Sequence, residues 1–421
     1  MPEPNIVLIG PGPQFKGGIA NFNSSLARAL DRLPGCRVHL ISWTNQYPAI
    51  IPRDFKVDQP QENYFTGTAI TIEYLLDYNN PLTWRKVARK LSRIQPMLVI
   101  FQWVNNVQAF PIRYLCKRIK QNTAAEIQFV LHVVKQKETS VIDKSLTRHG
   151  FAYVDTFIAH STKSIAELRE VLADELAQKR IIQLYHPVYD MFRPDPSFDA
   201  EAFKTANGIR RHAFLFFGFI RKYKGLHLAL RALHRLVQQR QDVTLMICGE
   251  FFLQENPTTL AAKFKYHLFN LLKTLLFRGG DQARHYDPLA LVEELQLQDH
   301  VYLQTNYIPD GEVLRYFQSA TAAVCFYETA DASGIESICY NFGTPILATR
   351  VGHFPESIQD GDNGYLADAG DIDSMAAQML RSIEAPIPAE RVRQKAEELS
   401  WKRYAQALLP AALASAGSVE S

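Results

Sequence analysis

The stretch Cys325–Glu356 reads CFYETADASGIESICYNFGTPILATRVGHFPE. Its middle predicts a helix, because Ile335, Ile338 and Phe342 follow the spacing of one buried helix face. Gly343, directly after this pattern, is typical of a helix end. Short apolar runs before and after the helix indicate strands. The stretch therefore predicts a strand, a polar loop, a helix and a second strand, as in a parallel α/β sheet.

The helix start at Ser333 and Gly334 is a candidate anion site. The first N–H groups of a helix have no partner within it, and the helix dipole favours negative charge there. Glu328 and Glu336, with seven residues between them, lie on either side of this start. The spacing Ser333-x-x-Glu336 also fits a capping box, in which the glutamate only accepts the Ser333 N–H. Spacing alone leaves both interpretations open.

The composition predicts a globular protein of two domains. A chain of 421 residues exceeds what one hydrophobic core usually supports. With 47% hydrophobic and 21% charged residues, the chain does not have the composition of a disordered protein. A formal net charge of +3, which we expect to be spread along the chain, gives no indication of nucleic-acid binding.

The cysteines and the N-terminus bear on the cellular compartment. The five cysteines show no paired spacing, so we interpret them as small buried residues of a reducing compartment, not as disulfides or zinc ligands. The N-terminus lacks the basic and apolar regions of a signal peptide, and no apolar stretch reaches the roughly 18 residues of a membrane span. We expect a soluble cytoplasmic protein.

The N-terminus predicts a strand, a glycine-rich loop and a helix. The strand is Asn5–Gly10, and helical periodicity starts at Ile19. The dinucleotide-binding fingerprint fails, because Phe15 stands where its third glycine would be. Gly17 and Gly18 at the helix entry are where a backbone could approach a phosphate or sugar closely, although an ordinary tight turn also fits.

Strand-like runs alternate with helical stretches through the first half of the chain. They are Arg37–Ser42, Met97–Trp103, Ile127–Val134, Thr156–His160 and Ile181–His186. This alternation predicts a parallel sheet with ligands beyond the carboxyl ends of its strands. His132 and His160 fall near such ends, as a substrate-facing or a buried core histidine would.

A second alternating set follows a proline-rich linker at residues 185–196. The strand Ala213–Gly218 leads to a loop with Arg221 and Lys224, then to a helix. These two cations at the mouth of a parallel sheet are candidates for holding a diphosphate. Basic loop residues that are merely solvated would give the same pattern.

The segment Thr258–Arg278 predicts a helix with a wide apolar arc and no acidic residue. Such a helix could pack on its own domain or lie on an anionic membrane surface.

The stretch Cys325–Glu356 resembles the Glu-x7-Glu region of the retaining nucleotide-sugar glycosyltransferases of family 4, also called glycosyltransferase group 1. The matching pieces, in order, are Glu328 and Glu336, Ser333-Gly334, Phe342-Gly343-Thr344-Pro345, and Gly352-x-x-Pro355-Glu356. The resemblance is strong over residues 213–370 and weak over residues 1–190. It implies the GT-B fold, an α/β architecture of two Rossmann-like domains whose parallel sheets face a central cleft.

The resemblance also implies a domain division. Residues 1–188 would form the N-terminal acceptor domain, and residues 189–394 the C-terminal nucleotide-sugar donor domain. The last helical segment, residues 395–421, would pack back on the N-terminal domain.

By the same resemblance, four residues would take part in catalysis. Arg221 and Lys224 would stabilise the leaving diphosphate, Glu328 would hold the transferred sugar, and His132 would lie beside it. The chain departs from the family at Phe219, where an arginine is common, and we take Arg221 as its substitute.

Further residues would bind the donor. Glu336 would accept hydrogen bonds from the ribose, and the backbone around Ile308 would frame the base. The other expected donor contacts are Gly17, Gly18, Ser333, Gly334 and Ile335. A second departure is His353, where a second glycine is usual.

The resemblance implies a retaining hexosyltransferase acting on a nucleoside diphosphate sugar, in polysaccharide or glycoconjugate biosynthesis. We find no Asp-x-Asp motif of the metal-dependent transferases and expect neither a metal nor another cofactor. The expected acceptor is a sugar or a lipid-linked molecule, with peripheral contact to the inner face of the membrane through residues 258–278. A sugar phosphorylase or nucleotide-sugar epimerase of the same fold, or a non-catalytic nucleotide-binding scaffold, remains open.

Overall fold

The computed structural model of the chain describes residues 3–49, 56–57, 62–135, 141–189, 191–251, 286–331 and 334–409. They form two compact units. Unit 1 contains the described residues up to Tyr185 together with those from Trp401 onward, and unit 2 contains those from His186 to Ser400. The predicted helix at Thr258–Arg278 lies outside the described residues.

Unit 1 is built on a seven-stranded parallel sheet with the order β3-β2-β1-β4-β5-β6-β7. The strands are β1 Asn5–Ile9, β2 Arg37–Asn45, β3 Thr71–Asp77, β4 Leu98–Trp103, β5 Glu126–Leu131, β6 Thr156–Ala159 and β7 Arg180–Gln183. The connecting helices are α1 Gly18–Asp31, α2 Pro81–Ile94, α3 Ala109–Asn122, α4 Val141–Phe151 and α5 Thr162–Leu172. The predicted parallel sheet is confirmed.

One strand of unit 1 was not found by sequence reasoning. The edge strand β3, Thr71–Asp77, is mostly half-buried, whereas the central strand β4 is buried along its whole length. A strand covered on both faces shows a continuous apolar run, while a half-covered edge strand of mixed composition does not.

Unit 2 is built on a six-stranded parallel sheet with the order β10-β9-β8-β11-β12-β13. The strands are β8 His212–Phe217, β9 Val243–Cys248, β10 Val301–Gln304, β11 Ala322–Cys325, β12 Ile346–Thr349 and β13 Gly364–Ala367. The helices are α6 Ala200–Ala206, α7 Leu226–Val237, α8 Ala290–Glu294, α9 Val313–Ser319, α10 Gly334–Phe342, α11 Phe354–Ser357, α12 Ile372–Glu384 and α13 Ala389–Glu398.

The strand order marks one position in each sheet where ligands are favoured. The direction of the connections reverses between β1 and β4 in unit 1 and between β8 and β11 in unit 2. The loops leaving two such strands diverge to opposite faces, which opens a crevice at the carboxyl end of the sheet. The loop with Arg221 and Lys224 and the loop with Glu328 leave β8 and β11, and so they flank this position in unit 2.

The last described helix, α14 Trp401–Leu408, packs in unit 1. The Trp401 ring lies 5.0 Å from the Phe22 ring of α1, and Gln128 Nε2 donates to the Leu408 carbonyl at 2.8 Å. His160 Nε2 hydrogen-bonds the Tyr404 hydroxyl at 2.9 Å, and both residues are buried. His160 is therefore a hydrogen-bonded core residue.

Two expectations from the sequence concern cysteines and membrane spans. Cys116, Cys248, Cys325 and Cys339 are buried, as predicted, whereas Cys36 is only half-buried. In the part of the chain that the structure describes, no helix has both the length and the apolar character to cross a bilayer.

The aromatic core of unit 1 offers a stability test. The Phe129 side chain is fully buried, with ring contacts to Trp103 at 5.7 Å and Phe151 at 5.9 Å. We expect Phe129→Ala to lower the free energy of unfolding by about 3–5 kcal/mol, because it leaves a cavity. The matched control Phe110→Ala, at a side chain that is 52% exposed, should change it by less than about 0.5 kcal/mol.

Tryptophan fluorescence during urea denaturation provides the measurement. All four tryptophans lie in unit 1, so the signal reports on that unit alone. Equal effects of the two substitutions would contradict this account of the core.

Candidate functional site

The loop after β8 lies directly against the end of β11. Gly225 has a φ of +68°, and a Cβ placed on it would stand 1.9 Å from the Phe326 carbonyl oxygen. The Glu328 N–H donates to the Tyr223 carbonyl at 2.7 Å. The two loops that carry the predicted cations and Glu328 are therefore held together through their backbones, and only a glycine fits at residue 225.

Lys224 points toward the end of β8 and the first turn of α10. Its Nζ lies 3.2 Å from the point where a Cβ would stand on Gly218, and Ile335 Cδ1 lies 3.6 Å from the same point. Burial and the neighbouring Arg221 guanidinium lower the pKa of Lys224 to about 8. Two adjacent cations that are partly withdrawn from water make a site where a bound anion is strongly stabilised.

Glu328 lies on the exposed side of the same loop pair. Its Oε1 lies 3.6 Å from His227 Nε2, and its side chain is 42% exposed. His227 Nδ1 contacts the Tyr286 hydroxyl at 3.0 Å. Burial lowers the pKa of His227, although the Glu328 carboxylate acts in the opposite direction. Sequence reasoning missed His227 and Tyr286, and the only signal for His227 was its place two residues after the Lys224-Gly225 pair.

Glu336 is enclosed, with only 5% of its surface exposed. Ser357 Oγ donates to its Oε1 at 2.6 Å, and His353 Nε2 pairs with its Oε2. Sequence reasoning noted His353 only as a departure from the usual glycine and did not identify Ser357. Ser333 lies outside the described residues, so the capping box stays a prediction.

A second histidine lies behind this carboxylate. Burial lowers the pKa of His186 to about 4, although the nearby Glu336 charge raises it. His186 Nδ1 contacts the Pro187 carbonyl at 2.7 Å, and that carbonyl also accepts from Ser337 Oγ at 2.7 Å. The predicted linker is thus bound to α10 and fixes the helix whose first turn lies beside Lys224.

Ile308, predicted to frame a base, lies in the loop after β10 and is 7% exposed. Gly334 is the first residue of α10, and a Cβ placed on it would stand 2.9 Å from the Tyr189 ring. The predicted anion site at this helix start therefore has the linker on one side.

Three predicted residues lie in unit 1. Gly17 precedes α1 with a φ of 102°, a conformation that favours glycine, and Gly18 is the first helical residue. His132 follows β5, and its Nε2 contacts Gln102 Oε1 at 2.8 Å. The Phe22 ring of α1 meets the His132 ring edge-on at 5.0 Å. His132 is thus half-buried and oriented at the carboxyl end of the sheet of unit 1.

Asp-x-Asp sequences do occur in the chain, at residues 360–362 and 371–373, and sequence reasoning passed over them. Asp371 caps α12 by accepting from the Asp373 and Ser374 N–H groups. Asp360 accepts from Arg381 Nη1 at 2.8 Å and from the Leu366 N–H at 2.9 Å. Both have structural partners. Within the described residues, no three His, Cys, Asp or Glu side chains are grouped to hold a metal ion.

Comparisons with known proteins point to the same region of the chain. Residues 198–399 match the family described as glycosyl transferases group 1. The chain is 30% identical over 141 residues to a D-inositol 3-phosphate glycosyltransferase of Thermobifida fusca, a match that covers 32% of each chain. It is 26% identical over 198 residues to a glycogen synthase of Mycobacterium tuberculosis, covering 46% of this chain and 40% of the relative. The chain thus spans well under half the length of these two relatives.

Similar solved structures align with nearly the whole chain. Anabaena HepE in complex with UDP and glucose aligns with a TM-score of 0.67 at 14% identity, covering 96% of this chain and 98% of that one. Sucrose-phosphate synthase of Thermosynechococcus elongatus aligns with a TM-score of 0.65 at 14% identity, covering 96% and 97%. At such low identity these alignments establish the fold.

The predicted fold is confirmed by these alignments and by the two parallel sheets. The family match contains the basic loop at Arg221 and Lys224, the Glu328 loop and the whole of α10. Residues 198–399 therefore match the group 1 glycosyl transferases, and the chain has the GT-B fold.

Proposed function

We propose that the protein is a retaining, metal-independent hexosyltransferase that moves a sugar from a nucleoside diphosphate sugar to an acceptor hydroxyl. The observation that carries this proposal is the half-buried Lys224 with a lowered pKa, beside Arg221 and the first turn of α10. A leaving diphosphate is a strong anion, and these groups stabilise its charge as the glycosidic bond breaks.

The other residues have roles around this anion site. Glu328, with its exposed carboxylate near His227, binds hydroxyls of the transferred sugar and stabilises positive charge that develops on its ring. Glu336, held by Ser357 and His353, accepts from the ribose hydroxyls, since a carboxylate offers about four acceptor positions. Ile308 borders the base, and Ser333 with Gly334 receives a phosphate at the helix start.

In unit 1, Gly17, Gly18 and His132 contribute to the donor and acceptor sides of the reaction. His132 is oriented by Gln102 and borders the reacting sugar. This assignment of the three residues rests on the family resemblance, and so does retention at the anomeric carbon.

The proposed donor is a UDP sugar, because the fold is shared with a protein whose structure holds UDP and glucose. The acceptor is a sugar or a lipid-linked molecule in polysaccharide or glycoconjugate biosynthesis, used on the cytoplasmic side. The contact of residues 258–278 with the inner face of a membrane remains part of this proposal.

The first test is turnover of UDP-glucose by the full chain. We expect release of UDP in the presence of EDTA at the rate seen with magnesium, since Lys224 and Arg221 take the place of a metal. Glu328→Gln should reduce turnover by about 100-fold or more, because it removes the charge that faces the developing cation. A control is Glu312→Gln, which changes an exposed carboxylate paired with Arg315.

Three results would contradict the proposal. Wild-type turnover in Glu328→Gln would remove this carboxylate from the reaction. Formation of an epimerised nucleotide sugar, or of a sugar phosphate in phosphate buffer, would favour the epimerase or phosphorylase. Failure of a panel of UDP, GDP and ADP to bind, measured by calorimetry, would exclude a nucleotide donor.

Donor affinity should depend on pH through Lys224. Protonated below about pH 8, the side chain attracts the diphosphate, and above its pKa this attraction is lost. We therefore expect the dissociation constant of the donor to rise above pH 8, by up to about tenfold per pH unit. Lys224→Arg should flatten this profile, because arginine stays charged.

The control for this pH profile is Lys222→Ala, a change in the same loop that should keep the wild-type pH dependence. Removal of the amine itself, in Lys224→Ala, should raise the dissociation constant of the donor about 10–100-fold at pH 7. An identical profile in Lys224→Arg and the wild type would assign the pH dependence to another group.

His353 is expected to position the Glu336 carboxylate. His353→Ala should raise the KM for the donor with a smaller effect on kcat, because Glu336 loses the partner at its Oε2. His353→Gln should restore much of the wild-type KM, since its amide N–H reaches to about the position of Nε2.

A matched control is His300→Ala, which removes another buried histidine of unit 2, one that contacts the Val243 carbonyl at 2.9 Å. It should lower thermal stability without changing the KM for the donor. If both alanine variants raised the KM equally, His353 would have only a general structural role.

A further inference from the structure

Two neighbouring helices of unit 1 carry only basic charge. α2 contains five lysine and arginine residues, α3 contains four, and neither has an acidic residue. The whole chain has a formal net charge of only +3, so the rest of the chain is net negative. The expectation of an evenly spread charge is wrong, because the excess of positive charge is concentrated on these helices.

The cations of α2 share one exposed face. Arg85, Arg89 and Arg93 recur every four residues, and Lys86 and Leu82 fall within the same third of the helix circumference. The residues on the opposite face, Val87, Ala88 and Leu91, are buried against the sheet. Among the described residues, no carboxylate lies within ion-pair distance of Arg85, Lys86, Arg89 or Arg93, whereas Lys90 pairs with Glu73 at 2.6 Å.

α3 extends this surface. Lys117 and Arg118 are exposed, and the Trp84 ring of α2 lies 6.1 Å from the Tyr114 ring of α3. Lys120, at the far side of α3, pairs with Asp155 at 2.5 Å. α2 and α3 pack against each other, so the cations that they expose to solvent belong to one surface, which we call the α2–α3 face and define by Leu82, Arg85, Lys86, Arg89, Arg93, Phe110, Lys117 and Arg118.

Exposed apolar side chains lie at one end of the α2–α3 face. Leu82 is 67% exposed and Phe110 is 52% exposed, the two highest values among the large hydrophobic residues that the structure describes. Each is the second residue of its helix. α2 and α3 connect successive parallel strands, so they run in the same direction and their first turns lie at the same end.

We propose that the α2–α3 face docks on an anionic lipid bilayer. Cations attract acidic headgroups over the length of the two helices, while Leu82 and Phe110 insert below the headgroups at one end. The cations alone would also suit the phosphates of a nucleic acid, so the two exposed apolar side chains are the feature that favours a membrane surface. An anionic membrane surface therefore fits both features, since its headgroups bind the cations and its acyl region accepts the two apolar side chains.

The orientation of this surface has a consequence for the proposed reaction. The first turns of α2 and α3 lie at the carboxyl end of the sheet of unit 1, the end at which His132 and Gly17 are found. Docking would thus bring that end of the sheet to the bilayer, where a lipid-linked acceptor would be held. The placement of a lipid-linked acceptor at this end rests on the proposed function, whereas docking itself does not.

The test is flotation of the full chain with phosphatidylcholine vesicles, with and without phosphatidylglycerol. We expect binding only to the anionic vesicles and its loss at high salt. The variant Arg85→Glu, Arg89→Glu, Arg93→Glu should lower the partition coefficient by about 100-fold or more, from about fivefold for each cation lost at the surface. A charge-matched control is Arg169→Glu, Arg391→Glu, Lys402→Glu, three exposed positions on α5, α13 and α14 that should keep most of the binding.

A second variant tests the apolar part. Leu82→Ser with Phe110→Ser should keep the salt-sensitive attraction but increase the dissociation rate from anionic vesicles. Unchanged melting temperature and unchanged binding of nucleoside diphosphate would show that both variants remain folded.

Four outcomes would overturn the proposal. They are no binding of the wild type to anionic vesicles, equal losses in the α2 variant and its charge-matched control, unchanged binding in the α2 variant, and binding of duplex DNA in place of vesicles. None of these outcomes bears on glycosyl transfer, which the UDP-release assay measures separately in solution.

Discussion

The candidate site in unit 2 depends on one close approach between two backbones. Gly225 lies so near the Phe326 carbonyl that a Cβ on it would stand at 1.9 Å. This contact, with the hydrogen bond from Glu328 to Tyr223, holds the basic loop after β8 against the polar loop after β11. Main-chain packing consequently fixes where the Lys224 and Glu328 side chains begin, and the Glu328 carboxylate also lies near His227. The parallel direction of β8 and β11 also contributes, because it brings both loops to the same end of the sheet.

Electrostatics then distinguishes the two glutamates. Glu328 is exposed and near a histidine whose pKa burial lowers, so its carboxylate can meet a substrate directly. Glu336 is enclosed and already has Ser357 and His353 as partners, so its negative charge is partly compensated before any ligand binds. The charge of Lys224, in contrast, is not compensated by these neighbours, because burial and the Arg221 guanidinium both make it unfavourable. A bound anion would remove this penalty. In unit 2, Lys224 therefore favours a bound phosphate, while the carboxylates of Glu328 and Glu336 favour hydroxyl groups.

Sequence reasoning predicted much of this arrangement, and its failures have physical causes. Periodicity and glycine positions gave the buried strands and α10, because these patterns are local. The edge strand β3 was missed, because a half-covered strand has no continuous apolar run. His353 and Ser357 were not recognised as partners of Glu336, because they follow it by 17 and 21 residues and meet it only through the fold. The concentration of charge on α2 and α3 was visible in the sequence, but its significance required knowing that the helices are neighbours.

The sequence by itself determined the α/β class, the helix start after Glu328, and the residue types that can bind a diphosphate, since each depends on short-range spacing. Only the tertiary structure decided which groups those residues meet. It placed Lys224 beside the first turn of α10, enclosed Glu336 between His353 and Ser357, and aligned the cationic faces of α2 and α3. The pKa of a lysine and the exposure of a carboxylate depend on neighbours that are distant in the chain, and so they follow from packing and not from spacing.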